Sequence, residues 1–328
     1  MNDDIRRDGA VLVTGLPRSG TSWVGKMLEA SDELVYVNEP LNPQHPPGRS
    51  PGILDATVTH RFQYICADND DVWRRAFGDT LRLRYRLGAE LRRNRAAGDL
   101  ARLAKYASAF TLGRLRGRRA LVDDPYALFS AAWFSRCLGA TTIVLVRDPV
   151  AFVGSWKKLG WTIYFHELLE QPLLMRDLLA DHAPTLRALV GSQDRLAKNA
   201  QLWNTAYDAV DRLRKADPNV HVRRYEDFTR APEQAFREVY ALAGLTWTDR
   251  VRRRVQAATT ALGSADSSFA WNFSRGLSRT AYRPMTGQAA LTSFRDRLSA
   301  AEIQRVRSLT RDVAEGFYPI DEQTRNGS

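Results

Sequence analysis

The chain has 328 residues, 44% of them hydrophobic, and a formal net charge of +11. That apolar share supports a real core, but no stretch approaches the ~20 apolar residues of a membrane span. The two cysteines, Cys66 and Cys137, form no motif and read as free thiols, which argues against a disulfide framework. The polar start, Met1 to Gly9, holds no apolar signal core, so a cytoplasmic protein is expected. The length allows one α/β domain with insertions or two small domains. We read one domain over 1–328, with insertions at about 50–118 and 160–192.

Elements follow in an alternating order. Ala10 to Leu16 reads as a strand, Thr21 to Ala30 as a helix and Leu34 to Val37 as a second strand. Residues 41–59 are proline-rich and irregular. Arg61 to Leu115 reads as mostly helical. Strand 3 starts at Ala120 to Val122, and a helix follows over Tyr126 to Cys137. Strand 4 covers Thr142 to Val146 and runs through Asp148-Pro149 into a helix ending near Leu159. Asp148 suits an N-cap and Pro149 a first helical position. The stretch from Gly160 to Ser192 reads as a lid. A long helix covers Asp194 to Lys215, strand 5 covers Asn219 to Arg223, and a helix covers Pro232 to Leu242. The last helix runs from Ala300 to Gly316, with Ser299 and Glu302 spaced as a capping box. This alternation predicts a parallel sheet of about five strands between helices, with ligands at the carboxyl ends of the strands.

Charge is unevenly placed. Between Arg74 and Arg119 there are fourteen basic residues and three acidic ones, so this segment holds the whole excess. Such a segment points to an anionic substrate, a membrane surface or nucleic acid. Nucleic acid is disfavoured because no recognised binding motif accompanies the charge. The plainer reading is a solvated helical face whose Leu81, Leu83, Tyr85, Leu87 and Leu91 pack inward.

The first strand delivers Gly15-Leu16-Pro17-Arg18-Ser19-Gly20-Thr21-Ser22-Trp23. The spacing of Gly15, Gly20 and Ser22 is that of a phosphate-binding loop, but Thr21 stands where a triphosphate-binding loop has lysine. Arg18 lies inside the loop instead. Backbone N–H groups and a helix N-terminus still bind one phosphate. The plainer reading is a glycine-rich turn between strand and helix. Arg147 at the end of strand 4 and Ser155 eight residues later suit a second phosphate, or else a capped helix start with a surface arginine. Glu39, in Asn38-Glu39-Pro40 at the end of strand 2, is biased towards an extended backbone by Pro40. A carboxylate there suits a general base, or else an ion pair with an arginine. Its rivals are His45, His60, His166, His182 and His221, with His45 the strongest. Tyr225 is the aromatic candidate for a base-stacking pocket, ahead of Trp203, which suits a core position.

Together these motifs resemble the sulfotransferases that use 3′-phosphoadenosine 5′-phosphosulfate (PAPS). The first helix and Val37-Asn38-Glu39-Pro40-Leu41 are especially similar to the carbohydrate sulfotransferase branch. The resemblance spans most of the chain but leaves 50–118 and 160–192 without motifs. It implies a P-loop NTPase-like fold with helical insertions forming an acceptor cap. Pro17, Arg18, Ser19, Gly20, Thr21, Ser22 and Trp23 would form the 5′-phosphosulfate loop. Arg147 and Ser155 match the 3′-phosphate pair. Arg223-Arg224-Tyr225-Glu226-Asp227-Phe228 resembles the strand-5 motif, with Tyr225 against the adenine. Leu298 to Ile303 resembles the terminal helix. The Arg-Lys-Gly motif of cytosolic members is absent, and Arg275 and Arg279 are the candidate substitutes. Arg18 takes the position of those members' lysine, as in the carbohydrate branch, and Glu39 stands in for their histidine base. With no membrane anchor, and with arginine outnumbering lysine 42 to 6, the chain looks like a soluble bacterial member.

The activity so implied is sulfuryl transfer from PAPS, without a metal, to a hydroxyl of a small molecule, glycan or lipid, leaving adenosine 3′,5′-bisphosphate. Arg18 and Glu39 would be catalytic. The alternatives are a P-loop kinase using Mg-ATP and a non-catalytic binder of polyanions or membrane surfaces. Segment 74–119 is also the candidate for peripheral membrane contact in the enzyme reading.

Overall fold

The computed structural model describes residues 9–43, 56–93, 97–260 and 291–318. Five parallel strands form one sheet: β1 (Val11–Gly15), β2 (Leu34–Asn38), β3 (Arg119–Asp123), β4 (Thr141–Val146) and β5 (Val220–Arg224), in the order β2-β3-β1-β4-β5. Register is continuous across the centre, where Val13 of β1 faces Asp123 of β3 and Ile143 of β4. The chain winds from β1 to β2 on one side and from β3 to β4 across β1. This puts the crossover point of the sheet at the carboxyl end of β1, where a parallel sheet opens a ligand crevice.

Strands buried on both faces read as continuous apolar runs, and β1 (VLVTG) is buried throughout. Val11 and Val13 pack with Trp23, Val24 and Met27 of α1 (Thr21–Glu29) on one face. Leu12 packs on the other with Phe77, Trp133 and Phe134. Those residues come from α2 (Asp71–Leu81) and α5 (Ala131–Leu138). Between them in sequence lie α3 (Leu87–Arg93) and α4 (Ala97–Leu115). The helix expected at Tyr126 begins instead as a 3-10 turn over Pro125–Ser130, capped by the Asp124 side chain on the Tyr126 N–H.

Next come α6 (Pro149–Leu159), α7 (Arg195–Ala216), α8 (Tyr225–Arg230), α9 (Pro232–Leu242), α10 (Asp249–Thr260) and α11 (Ala300–Ala314). The expected caps are present. Asp148 accepts from the Ala151 N–H, and Ser299 with Glu302 closes a capping box. The segment expected as a lid is packed into the fold. Residues 160–192 form short helical pieces, among them His166–Leu169 and Ala183–Leu189, and Phe165, Leu168, Leu174, Leu179 and Leu186 have no exposed surface. These apolar anchors fasten the segment to the main core. Among the described residues no helix is long and apolar enough to cross a membrane.

Candidate active site

The loop after β1 is held in an unusual backbone shape. Arg18 has φ +82° and Gly20 has φ +99°. A non-glycine residue in that region costs roughly 1–3 kcal/mol, and such strain persists where surrounding contacts enforce it. Here they do. The Trp156 indole N–H donates to the Pro17 carbonyl at 2.9 Å, and Arg147 Nη1 donates to the Arg18 carbonyl at 2.8 Å. Glycine at 20 is needed for a second reason: a Cβ there would lie 2.5 Å from the Tyr225 ring. Tyr225 opens α8 directly after β5, so the loop and the end of β5 are packed together.

The structure brings Arg18, Arg147, Ser155 and Tyr225 into one cluster. Arg18 Nε lies 3.4 Å from Ser155 Oγ. The Arg147 guanidinium stacks 4.7 Å over the Tyr225 ring. Burial, reinforced by Arg147, depresses the Arg18 guanidinium below its ordinary value. Arg147 itself is buried, and its Nε finds no partner among the described residues. A third cation, Arg297, is close enough to Arg18 to depress it further, and burial together with the Arg147 charge depresses Arg297 too. No sequence motif marks Arg297; its place depends on the chain returning after α10. Arg275 and Arg279, together with His45, lie outside the described residues.

Two aromatic side chains brace this cluster from below. Trp203 Nε1 donates to the Arg147 carbonyl at 2.8 Å, and the Tyr207 hydroxyl donates to the Leu145 carbonyl at 2.9 Å. Trp203 is thus a core residue that fixes the end of β4. Trp23 is likewise buried, edge-on to Tyr225, Phe228 and Phe236. Glu226, in the strand-5 motif, receives the Asp148 N–H and the Tyr318 hydroxyl. Burial and nearby Asp148 push its carboxyl up to about 7.

On the other side of the loop, Pro17, Arg18, Thr21 and Ser22 face a chamber of about 350 Å³ that also contains Glu39. Phe62, Tyr126, Trp161 and Tyr164 give it aromatic walls, and Arg61 and Arg195 also line it. None of its lining residues among those described is a histidine. Trp161 and Tyr164 come from a segment without motifs, which is why the sequence did not mark them.

Glu39 is half-buried, and burial raises its carboxyl above the ordinary value while a 2.6 Å hydrogen bond from Asn42 opposes the rise. Its backbone is not extended as Pro40 led us to expect: φ is +44°. The reason is tertiary. The Glu39 N–H donates to the Asp123 carbonyl at 2.8 Å, and the Glu39 carbonyl accepts from the Asn42 N–H at 3.1 Å. These bonds outweigh the local pre-proline bias.

Behind Glu39 lies Asp123, at the end of β3, which the sequence reading did not single out. It has no exposed surface, accepts from the Tyr36 hydroxyl, and sits beside the Thr21 and Ser22 hydroxyls. Burial, helped by the Glu39 charge, pushes its carboxyl up to about 7.

A model described as the sulfotransferase family matches residues 10–249. The chain belongs to the sulfotransferase family. Among solved structures it is similar to the sulfotransferase domain from the curacin biosynthetic pathway, at 15% identity over 92% of this chain and 97% of that one, with a TM-score of 0.45. A similar likeness, at 16% identity over 97% of each chain and a TM-score of 0.43, links it to the sulfotransferase domain of the Synechococcus PCC 7002 olefin synthase. Mouse sulfotransferase SULT7A1, complexed with PAP, follows at 13% identity over 95% of this chain and 85% of that one, with a TM-score of 0.42. No curated protein matches the chain. Family membership makes the protein an enzyme of sulfuryl transfer.

Proposed function

We propose that this sulfotransferase moves a sulfuryl group from PAPS to the hydroxyl of an alcohol, such as a sugar or glycolipid. The observation that carries the donor is the convergence of Arg18, Arg147 and Arg297 at the strained loop. Three guanidiniums brought together by folding favour an anion between them, and the buried Arg147 Nε is a donor without a partner among the described residues. PAPS supplies a sulfuryl group on a 5′-phosphate leaving group and carries a separate 3′-phosphate. Its two anionic ends match a loop with one arginine and a second arginine cluster beside it.

In this reading Arg147, Ser155 and Arg297 hold the 3′-phosphate, with Tyr225 alongside for the adenine. Arg18 and the loop N–H groups stabilise the charge that grows on the 5′-phosphate as the S–O bond breaks. Glu39 accepts the proton from the acceptor hydroxyl as its oxygen bonds to sulfur. A base so placed contributes about 10²–10⁴-fold, and its raised pKa makes it a better proton acceptor. Aromatic walls suit the apolar face of a ring, and the chamber volume lies at the small end of ligand pockets, which run from about 300 to 1,000 Å³.

Titration with adenosine 3′,5′-bisphosphate and with Mg-ATP tests the donor. Tight binding of the bisphosphate alone is expected; tight binding of Mg-ATP alone would overturn the reading in favour of a kinase. Sulfur-labelled PAPS incubated with cell extract then identifies the acceptor from the labelled product.

A further inference from the structure

The arginine-rich segment takes no part in the donor site, and α4 is built the wrong way round for a solvated helix. Its buried side carries Leu103, Phe110 and Gly113. Gly113 allows close approach to β2, since a Cβ there would collide with the Val35 side chain. Its outer side should then be charged throughout, but an apolar stripe runs along it. Leu100, Ala104, Ser108, Leu112 and Leu115 follow one another three or four residues apart, so they form a single stripe. All five are exposed, with Leu100 at 48%, Leu112 at 49% and Leu115 at 75%. Beside α4, α3 adds Leu87 and Leu91, at 40% and 41%. Half of the ten large apolar residues exposed among the described residues are therefore leucines of α3 and α4. Of the leucines and tyrosine expected to pack inward, Leu83 does so at 2%, and Leu81 and Tyr85 pack against the same core, but Leu87 and Leu91 do not.

Cations flank the stripe. Lys105, Arg114 and Arg116 are exposed. At the end of α4 a cleft of about 770 Å³ opens at the amino ends of the strands. Arg82, Arg114 and Arg116 line it. The acidic groups of the cleft are already engaged: Asp32 pairs with Arg250 at 2.6 Å, and Glu33 accepts the Thr246 N–H at 2.8 Å. The macrodipole of α4 accounts for a cation at its last turn, but not for three leucines in water.

We infer that the α3–α4 face docks on an anionic lipid bilayer, with the leucine stripe entering the interface and the arginine cleft taking lipid phosphate. An apolar stripe bordered by Lys and Arg is the composition of interfacial helices. Two alternatives fit the same face less well. In a two-fold dimer a patch meets itself, which would bring one cationic rim against another. Nucleic acid supplies phosphates but no apolar phase for aliphatic leucines, and base stacking calls for aromatic side chains. The inference does not depend on the donor site, which lies at the opposite ends of the strands.

The test is co-sedimentation of the full chain with vesicles of phosphatidylcholine, with and without phosphatidylglycerol. Tighter binding to the anionic vesicles is expected. Arg114→Ala with Arg116→Ala should weaken it about 10- to 30-fold, since each surface cation near anionic lipid is worth roughly a factor of five. Leu112→Glu with Leu115→Glu should abolish it, while leaving the melting temperature and bisphosphate affinity as they were. Those two readouts separate loss of docking from loss of folding or of the donor site. Equal binding to neutral and anionic vesicles would overturn the inference. So would leucine variants that bind as tightly as the parent, which would leave only a polyanion patch. A protein that ignores vesicles but forms a dimer dissolved by Leu115→Glu would replace the bilayer with a second copy.

Discussion

At the carboxyl ends of the strands Arg147 is buried, its guanidinium stacked on Tyr225 and bonded to the Arg18 carbonyl. At the amino ends Arg114 and Arg116 stand exposed beside leucines that are themselves 40–75% exposed. The first arrangement fixes its donors before a ligand arrives, so little ordering remains to be done on binding. The second acts through its field and is screened by salt within about 10 Å at 0.1 M. Local density of arginine is therefore a poor guide to the active site. The segment that holds the whole net charge contributes none of the three guanidiniums at the loop.

Glu39→Gln should have the largest effect at the donor end. Turnover is expected to fall at least about 100-fold, with bisphosphate affinity within about twofold of the parent. Full activity in this variant would remove Glu39 as the base. The pH profile of the parent adds a sign. Burial raises the Glu39 carboxyl, so the acid limb of activity should lie above the ordinary carboxylate value and vanish in the glutamine variant.

Arg147→Ala comes next. Hydrogen bonds to charged groups contribute about 1.5–3 kcal/mol, so bisphosphate affinity should weaken about 10- to 100-fold by calorimetry. Arg116→Ala, at the other end, should leave that affinity unchanged. Similar losses in the two variants would erase the contrast between the two regions. Arg297→Ala is expected to weaken the bisphosphate about 3- to 10-fold, less than Arg147 because Arg297 is only half-buried, whereas Arg147 is buried and bonds the loop. No change would leave the second anion site to Arg147 and Ser155 alone.

What was legible in the sequence follows from the range of each signal. The caps at Asp148 and Ser299 were readable because a cap is decided within three residues. The loop was readable because glycine spacing and the place of Arg18 are local. Arg297 and Asp123 were not, because each becomes part of the site only when distant strands and the returning chain meet. The Glu39 backbone was misread for the same reason. A local bias from Pro40 was weighed without the Asp123 carbonyl, 84 residues further on, that decides it. The packed segment 160–192 carried its leucines in plain view. Which side of them faces the core is set by α6 and α7, which no local pattern announces.

The gentlest break in the comparison concerns pH. Asp123 and Glu226 both sit at the donor end, and burial pushes each carboxyl up to about 7. A carboxyl raised in the folded state adds stability below its unfolded value of about 4, and that stability is lost as pH rises through 7. The melting temperature should therefore be lower at pH 8 than at pH 5, by a few degrees for a chain of this size. Asp123→Asn removes one such titration and keeps an acceptor for the Tyr36 hydroxyl, so the fall should become shallower. Arg114→Ala with Arg116→Ala should leave the slope as it is and change stability by no more than about 0.5 kcal/mol. A slope that Asp123→Asn leaves untouched would mean that Tyr36, Thr21 and Ser22 hold the carboxylate ionised. The hydroxyls at the start of α1 would then be fixed by a charge rather than by a neutral acid.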